Sequence, residues 1–364
     1  MRRITALLTL ILLIGACGGG SGGGGGSNPP AQPSTLYVRS NGSDDNKGLS
    51  PDTAFRSIER AVRDLTAGDV VYVGAGNYKA PEVAPGEPRP TAALDILDAP
   101  GTANQPVQLL ADVTGEHTGD AGEVVIDGKD VAIGLRISRS SYVIIDGFGI
   151  ERGKGNNGAG LQVRNLSNHI TVRNCIVTDN IDGIRVESST DVLVFNNLIY
   201  ENSGRGIRVS GAQRTQIFNN TIANNQGPGV AIGGANAQGI GSTECALRNN
   251  VIQDNSNVSI AVDDGPPTSL TGYSGNFNLV FYADLADQTK TYRPTTIVGD
   301  HDINLDADFR DTDGIFALDQ LSSPAVDAGT STIDAALLAM LFGRSTSPDG
   351  AVDIPPVDLG YHAR

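Results

Sequence analysis

The stretch from Ile170 to Val262 decides the fold, because one phrase is written in it four times. Each copy holds a hydrophobic run, an Asn pair or a variant of it, a second short run, another Asn, and a third run that usually opens with Gly. The copies read ITVRNCIVTDNIDGIRV from Ile170, VLVFNNLIYENSGRGIRV from Val192, TQIFNNTIANNQGPGVAI from Thr215 and ALRNNVIQDNSNVSIAV from Ala246. Such a repeat predicts a solenoid, in which each unit contacts only its neighbours.

The three runs of each copy predict short β-strands. They are rich in Val and Ile, too short for helices, and separated by Asn, Asp, Ser and Gly. In one run Ile184 and Val186 alternate with Arg185 and Glu187, as in a strand that buries one face. We therefore expect Ile184 and Val186 to line a core, and Arg185 and Glu187 to face outward.

The Asn pair is predicted to form a corner between two strands. Its second residue is Cys175 in the first copy and Asn197, Asn220 and Asn250 in the others, at steps of 22, 23 and 30 residues. Counted back from Ile199 in steps of two, Asn197 faces inward. Its amide is then expected to stack on those of the next coils and to satisfy backbone groups at the bend.

Three strands per turn with a corner ladder of Asn resembles the right-handed parallel β-helix of the pectate-lyase-like superfamily. The resemblance implies an all-β fold, a three-sheet solenoid over residues 35–299 with an N-terminal helical cap. A capping segment over residues 300–364 is expected to follow. The phrase SPAVDAG from Ser323 resembles the carboxy-terminal segment of surface-anchored bacterial β-helix proteins.

The two caps have local signals of their own. Ser57 is a plausible N-cap for a helix whose buried face starts at Ile58, and Gly68 stands just past its end. A helix there would cover the first coil, whose open sheet edge would otherwise invite aggregation. A second short helix from Asp334 to Phe342 is expected to cover the last coil.

The N-terminal residues indicate export rather than structure. A positive start and the apolar run Ile4–Ile14, too short to span a bilayer, lead into Cys17. The four residues Ile14-Gly15-Ala16-Cys17 resemble the lipobox of bacterial lipoproteins, which implies a signal peptide over residues 1–17 with Cys17 acylated. An ordinary signal peptide with a coincidental Cys is the alternative. Residues 18–34 are almost only Gly, Ser, Pro and Asn, which predicts a flexible linker.

By resemblance to Gram-negative sorting, the absence of Asp after Cys17 favours the outer membrane or the cell surface. The partners expected are therefore a membrane, through the lipid anchor, and a cell-envelope component or acidic polysaccharide, with the protein a monomer. A net charge of −15 argues against nucleic acid, because phosphates would be repelled. Cys175 and Cys245 lie three coils apart in this register, too far for a disulfide, and are expected as buried thiols.

One outward face concentrates arginines. The outward column of the strand after each Gly reads Arg136, Gln162, Arg185, Arg208, Ala231 and Ala261, and the column two positions on includes Arg164 and Glu187. Arginines spaced by one strand per coil could hold successive carboxylates of a polyanion. We therefore take Arg136, Gln162, Arg164 and Glu187 as candidate substrate-binding residues. The alternative is a solvated face whose ion pairs keep a stacked sheet soluble.

The superfamily resemblance implies activity on carbohydrates, often β-elimination of uronic-acid polymers with Lys or Arg as base and calcium or Arg neutralising the carboxylate. Arg185 and Arg208 are the candidate catalytic residues; no Lys occupies the column, and Lys154 in a flanking loop is the nearest. Calcium is the cofactor expected, and its candidate ligands lie in the turns before this strand: Asp179, Asp182 and Glu201.

Two hypotheses follow. In the first, the protein is a surface lipoprotein that binds, and in the fuller form cleaves, an acidic polysaccharide along the arginine face. In the second, it is a non-catalytic envelope scaffold or adhesin. The paired-Asp motif of β-helix polygalacturonases and the Asp-Pro-His motif of alginate epimerases are both missing from the sequence. Because one fold hosts many activities, the architecture does not choose between the two hypotheses.

Overall fold

The computed structural model describes residues 32–82, 88, 90–235, 239–263, 268–283, 291–311 and 316–363. The predicted signal peptide, the lipidated Cys17 and nearly all of the linker lie outside these residues and stay predictions. Among the described residues, no helix has the length and apolar character needed to cross a membrane. The part from Pro33 to Arg364 forms one compact unit.

Short strands account for nearly all the regular structure, and two short helices accompany them. In the N-terminal half the strands are β1 (Thr35–Val38), β2 (Val70–Val73), β3 (Gly76–Lys79), β4 (Ala92–Leu97), β5 (Val107–Ala111), β6 (Val124–Asp127), β7 (Ile133–Ser138), β8 (Ser141–Asp146), β9 (Gly149–Glu151), β10 (Ala159–Arg164), β11 (Asn168–Arg173), β12 (Ile176–Thr178) and β13 (Asp182–Glu187). In the C-terminal half they are β14 (Thr190–Phe195), β15 (Leu198–Tyr200), β16 (Ile207–Ser210), β17 (Gln216–Phe218), β18 (Thr221–Ala223), β19 (Val230–Ile232), β20 (Ala246–Arg248), β21 (Val251–Gln253), β22 (Ile260–Val262), β23 (Ser274–Asn276), β24 (Leu279–Phe281), β25 (Tyr292–Arg293), β26 (Phe309–Asp311) and β27 (Ala317–Leu318). The helices are α1 (Ile58–Val62) and α2 (Ala335–Leu341).

Three parallel sheets wind around one core, as the repeat predicted. Sheet A has the order β1-β2-β5-β8-β11-β14-β17-β20-β23, sheet B the order β24-β21-β18-β15-β12-β9-β6-β3, and sheet C the order β25-β22-β19-β16-β13-β10-β7-β4. Each coil therefore contributes one strand to each sheet. Ile184 pairs with Leu161 on one side and Ile207 on the other, and all three are fully buried. The predicted three-sheet parallel β-helix is confirmed.

The Asn pairs form the predicted corner, with a distinct task for each residue. The first residue of the pair has left-handed backbone geometry, with φ of +52° at Asn196 and at Asn219, a conformation that Asn tolerates better than most residues. The second points inward: Oδ1 of Asn220 accepts from the backbone N–H and the side-chain amide of Asn197, both at 2.9 Å. The ladder continues to Asn250 and stabilises the bend.

A second ladder of buried amides, which the sequence reading missed, lies at the next corner. Asn202 Oδ1 accepts from Asn180, and Asn225 and Asn255 repeat the arrangement in the following coils. These residues are the later Asn of each repeat, whose role the pattern did not reveal. Each coil of the regular region is therefore held at two of its three corners by amide stacks.

The start and the buried face of the N-terminal cap helix match their prediction, whereas the helix ends at Val62, earlier than the predicted end before Gly68. Ser57 accepts a hydrogen bond from the backbone N–H of Arg60 and caps α1. Ile58, Ala61 and Val62 of the helix are buried against the core of the first coil. The two cysteines also match: Cys175 and Cys245 are both buried, and no disulfide joins them.

The C-terminal helix departs from its prediction, whereas Ile303 at the start of the capping segment pairs with Leu279 of the last coil. Helix α2 does not cover the last coil; it packs on the outer face of sheet A, where Leu338 and Leu341 contact Phe195 and Phe218 in the middle of the solenoid. The corner residue Asn196 exchanges hydrogen bonds with the backbone of His362, a second contact to the flank. The physical reason is that two aromatic rings on neighbouring strands point outward there, and the helix buries their apolar surface.

Candidate functional site

The face predicted to carry the arginines is the outer face of sheet C, with the predicted register. Its outward side chains form a row that crosses the strands along the axis of the solenoid. We call this row the first row, and in chain order it consists of Asp95, Arg136, Gln162, Arg185, Arg208, Ala231, Ala261 and Arg293. A second row, two residues further along each strand, contains Ser138, Arg164, Glu187 and Ser210.

Arg185 lies in the first row but is buried, with 1% of its surface exposed. Its guanidinium donates to Asp182 Oδ2 at 2.8 Å and to the backbone oxygens of Asn157 and Gly158 at 2.9 and 3.0 Å. A buried charge is tolerated only when it is paired and hydrogen-bonded, and these acceptors supply both. The prediction that Arg185 faces a ligand and acts in catalysis is therefore wrong, because its guanidinium group is buried and not accessible from solvent.

Three of the four candidate substrate-binding residues, Arg136, Gln162 and Glu187, are also engaged within the protein. Arg136 forms two hydrogen bonds with Asp95, at 2.6 and 2.7 Å, and Gln162 donates to Glu187 at 2.7 Å. Arg164 differs from them, because its side chain makes no hydrogen bond or ion pair with a described residue and its Nε is buried. Apart from Arg164, the residues of this half of the face therefore agree with the second interpretation, in which polar and charged side chains pair with one another rather than with a ligand.

A pocket of about 350 Å³ opens further along sheet C, where β16, β19, β22 and β25 lie side by side. Arg208 and Arg293 stand at its two ends in the first row, and the small residues Ala231 and Ala261 lie between them. At about 4.8 Å per strand, three steps separate the two arginines by roughly 14 Å. The remaining lining is Arg205, Val209, Ser210, Ile232, Gly233, Gly234, Val262 and Asp263.

The pocket carries positive charge that no described carboxylate neutralises fully. Arg208 and Arg293 make no ion pair with a described residue, and Arg205 lies 3.6 Å from Oδ1 of Asp182, whose other carboxylate oxygen pairs with the buried Arg185. Several other arginines on the described surface lie within hydrogen-bond distance of an aspartate, among them Arg39, Arg136, Arg139, Arg173, Arg214 and Arg310, whereas the side chains of Arg56, Arg164 and Arg248 have no such partner among the described residues. In a chain of net charge −15, this local excess favours an anionic ligand.

The predicted calcium ligands do not assemble into a site. Asp182 is buried against Arg185, and Asp179 lies 2.5 Å from Nζ of Lys154. The described part of the chain holds no group of three or more His, Cys, Asp or Glu residues placed to bind a metal ion. Because Ca²⁺ needs six to eight oxygen ligands, two carboxylates already committed to cations and Glu201 do not fit it. We derive no step that involves calcium.

The sequence analysis did not predict two candidate residues of the pocket, Arg205 and Arg293. Arg205 lies in the turn before β16 and was outside the strand columns. Arg293 aligns with Ala261, but the irregular residues between β22 and β25 hid the continuation of the column. The dipeptide Tyr292-Arg293 could have revealed Arg293, because Tyr292 continues the inward column that contains Ile260.

Residues 124–272 match the family model described as a right handed beta helix region. The fold is a right-handed parallel β-helix. The matched segment contains the four repeats and most strands of the pocket, and it confirms the predicted handedness.

A curated relative and several solved structures are also similar to this chain. The pectate lyase PEL9 of Emericella nidulans is 32% identical over 103 residues, which is 28% of this chain and only 20% of the relative. The crystal structure of pectate lyase Pel9A is 15% identical, with a TM-score of 0.48, over 92% of this chain and 97% of that one. An alginate lyase from Paenibacillus sp. str. FPU-7 is 15% identical, with a TM-score of 0.48, over 71% and 80% of the two chains. None of these similarities assigns a reaction to this protein.

Proposed function

We propose that the protein binds an acidic polysaccharide in the sheet C pocket. The observation that carries the proposal is the pair Arg208 and Arg293, which face one pocket without a carboxylate partner among the described residues of a strongly acidic chain. Guanidinium groups donate in a planar fork that matches carboxylates, so they suit the uronate groups of such a polymer.

The shape of the pocket suits a sugar chain. The floor between the two arginines consists of Ala231 and Ala261, whose small side chains let a ring approach the sheet closely. Ser210 adds a hydroxyl group at the edge, which can donate to or accept from a sugar hydroxyl. Pockets for small ligands combine a few placed polar groups with apolar walls in this way.

The finer form of the proposal is cleavage of the polymer by β-elimination. In that reaction a base removes the proton from the carbon beside the carboxylate, a double bond forms, and the bond to the neighbouring sugar oxygen breaks, with that oxygen taking up a proton. Arg208 is the candidate catalytic residue, since its charge can neutralise the carboxylate and so make this proton more acidic. The described lining contains no Lys or His that could act as base.

Binding is tested by calorimetry of the purified protein with a panel of uronic polymers. We expect one polymer to bind, and Arg208→Ala and Arg293→Ala each to weaken it by about tenfold or more, because a hydrogen bond to a charged group contributes about 1.5–3 kcal/mol. Arg310→Ala is the matched control, an exposed arginine paired with Asp319 on the C-terminal segment. Equal affinity in all variants would refute the proposal and favour the scaffold or adhesin.

Cleavage is tested separately, by absorbance in the ultraviolet band of unsaturated uronates with and without added calcium. A rise with the bound polymer that Arg208→Ala abolishes would establish a lyase. A flat trace with a polymer that binds would leave a binding protein and refute the cleavage. Circular dichroism of the variant checks that the β-helix is intact in both cases.

We also propose export as a monomeric lipoprotein, anchored through Cys17 in the outer membrane and displayed at the cell surface. The support is the apolar run before Cys17 and the Gly-rich linker after it. A single acyl chain anchors weakly, whereas several chains on one residue anchor stably. Labelled fatty acid should enter the wild type and not Cys17→Ser; labelling of both would contradict the proposal. Sedimentation of the detergent-solubilised protein tests the monomer.

A further inference from the structure

The outer face of sheet C changes abruptly between β13 and β16. In the first row, Gln162 and Arg185 are 4% and 1% exposed although they point away from the core. The next residues, Arg208, Ala231 and Ala261, are only partly buried and line the pocket. The first row is therefore covered at Gln162 and Arg185, whereas Arg136 and Asp95 in the coils before them are again partly exposed, and the pocket begins directly after the covered pair, at Arg208.

The cover over Arg185 is the loop of residues 153–158. Its carbonyl groups at Asn157 and Gly158 accept hydrogen bonds from Arg185, so the loop lies over that side chain. The beginning of the loop is tied down as well, because the backbone N–H of Gly153 donates to Oδ1 of Asn180 at 2.8 Å. Asn180 belongs to the buried amide ladder of the corner. The loop is thus a fixed part of the solenoid.

At the opposite end of the pocket, Arg293 is not covered by the described residues. Arg293 is exposed and lies on β25, the last strand of sheet C. From Arg208 beside the covered pair to Arg293 at the edge, the open part of the first row spans roughly 14 Å. A polymer that follows this row can leave past Arg293, but it meets the loop over Arg185 in the other direction.

We infer that the pocket receives one end of an acidic polysaccharide chain rather than an internal segment. This inference rests on the proposed function. The terminal sugar lies at Arg208 against the loop of residues 153–158, and the rest of the chain runs towards Arg293 and away from the sheet. Each polymer chain then offers the same number of sites however long it is.

The test compares the stoichiometry of binding for a uronate trisaccharide and for long, size-defined chains of the same polymer, by calorimetry and sedimentation of the purified protein. We expect one protein molecule per chain at both lengths, with similar affinity per chain. A number of bound molecules that grows with chain length would overturn the inference while leaving the proposed function standing. Absence of binding at either length would overturn both.

Chemical modification of the ends gives a second, independent readout. One trisaccharide is reduced at its reducing end, and another carries an unsaturated sugar at its non-reducing end. Because one end of the chain is directed towards the loop and the other end leaves the pocket, one of these changes should weaken binding by about tenfold or more, while the other has little effect. Equal affinity of both modified sugars and the unmodified trisaccharide would overturn the inference. Arg310→Ala should reproduce the wild-type pattern in both experiments.

Discussion

The substitution Asn220→Ala probes the corner ladder on which the whole solenoid depends. Asn220 is fully buried, and its Nδ2 donates to the backbone oxygens of Val194 and Phe218, both at 3.0 Å. Its Oδ1 accepts from the backbone N–H and the side-chain amide of Asn197. Alanine removes all of these bonds and leaves room for no replacement except water.

The magnitude follows from the groups that lose their partner. Two buried donors of Asn197 lose their acceptor, and each unsatisfied buried group costs about 1–3 kcal/mol. Asn250 keeps one donor, because the backbone N–H of residue 220 still reaches its Oδ1. The free energy of unfolding should therefore fall by about 2–6 kcal/mol, a large part of the stability of an ordinary domain.

The assay is denaturation by guanidinium chloride, followed by far-ultraviolet circular dichroism and by tyrosine fluorescence. Coincident curves from the two probes justify a single free energy of unfolding. The matched control is Gln216→Ala, which also removes an amide, from an exposed side chain on β17 of the same coil. We expect the control to change stability by less than about 0.5 kcal/mol. Equal effects of the two substitutions would refute the ladder as a stabilising element.

Three further predictions concern other parts of the molecule. Arg310 holds the pKa of Asp319 at about 2 by a hydrogen bond. The contribution of this pair to stability is therefore present above the ordinary pKa of 3.8 and is lost as the pH falls towards 2. Arg310→Gln should raise the pKa of Asp319 in an NMR titration, and an unchanged pKa would contradict this prediction. Burial raises the pKa of Cys245 to about 11, so its thiol should resist alkylation at neutral pH until the protein is unfolded, as peptide mass spectrometry can show. Gly206→Ala would place a methyl group 2.5 Å from a buried side-chain carbon and should lower the denaturation midpoint strongly, whereas Gly343→Ala, with open space around it, should not; similar midpoints would count against the packing at this corner.

Arg185 shows how a correct register can still mislead about function. The alternation of Ile184 and Val186 with Arg185 correctly predicts that the arginine points away from the core. Whether an outward side chain meets solvent depends on what lies over the sheet, and here the loop that ends at Gly158 covers it. That loop belongs to the preceding coil, so no local pattern around Arg185 reports it.

The C-terminal segment illustrates the same limit. The sequence of α2 predicts a helix that begins after Asp334, and the structure confirms it. Its docking on Phe195 and Phe218 could not be predicted, because these rings lie more than a hundred residues earlier in the chain. The outward aromatic residues were visible in the repeats, but their partner was not.

The sequence by itself determined the solenoid, its register and its first corner ladder, because these depend on contacts between equivalent positions of adjacent coils. Such contacts recur once in every sequence repeat, and the recurring residues Asn197, Asn220 and Asn250 therefore indicate them. Only the tertiary structure decided which arginines are open to a ligand. Arg208 and Arg293 share a pocket, and Arg185 does not, because of loops and irregular coils that obey no period. Exposure is a property of everything that packs above a residue, and a repeat specifies only what lies beside it.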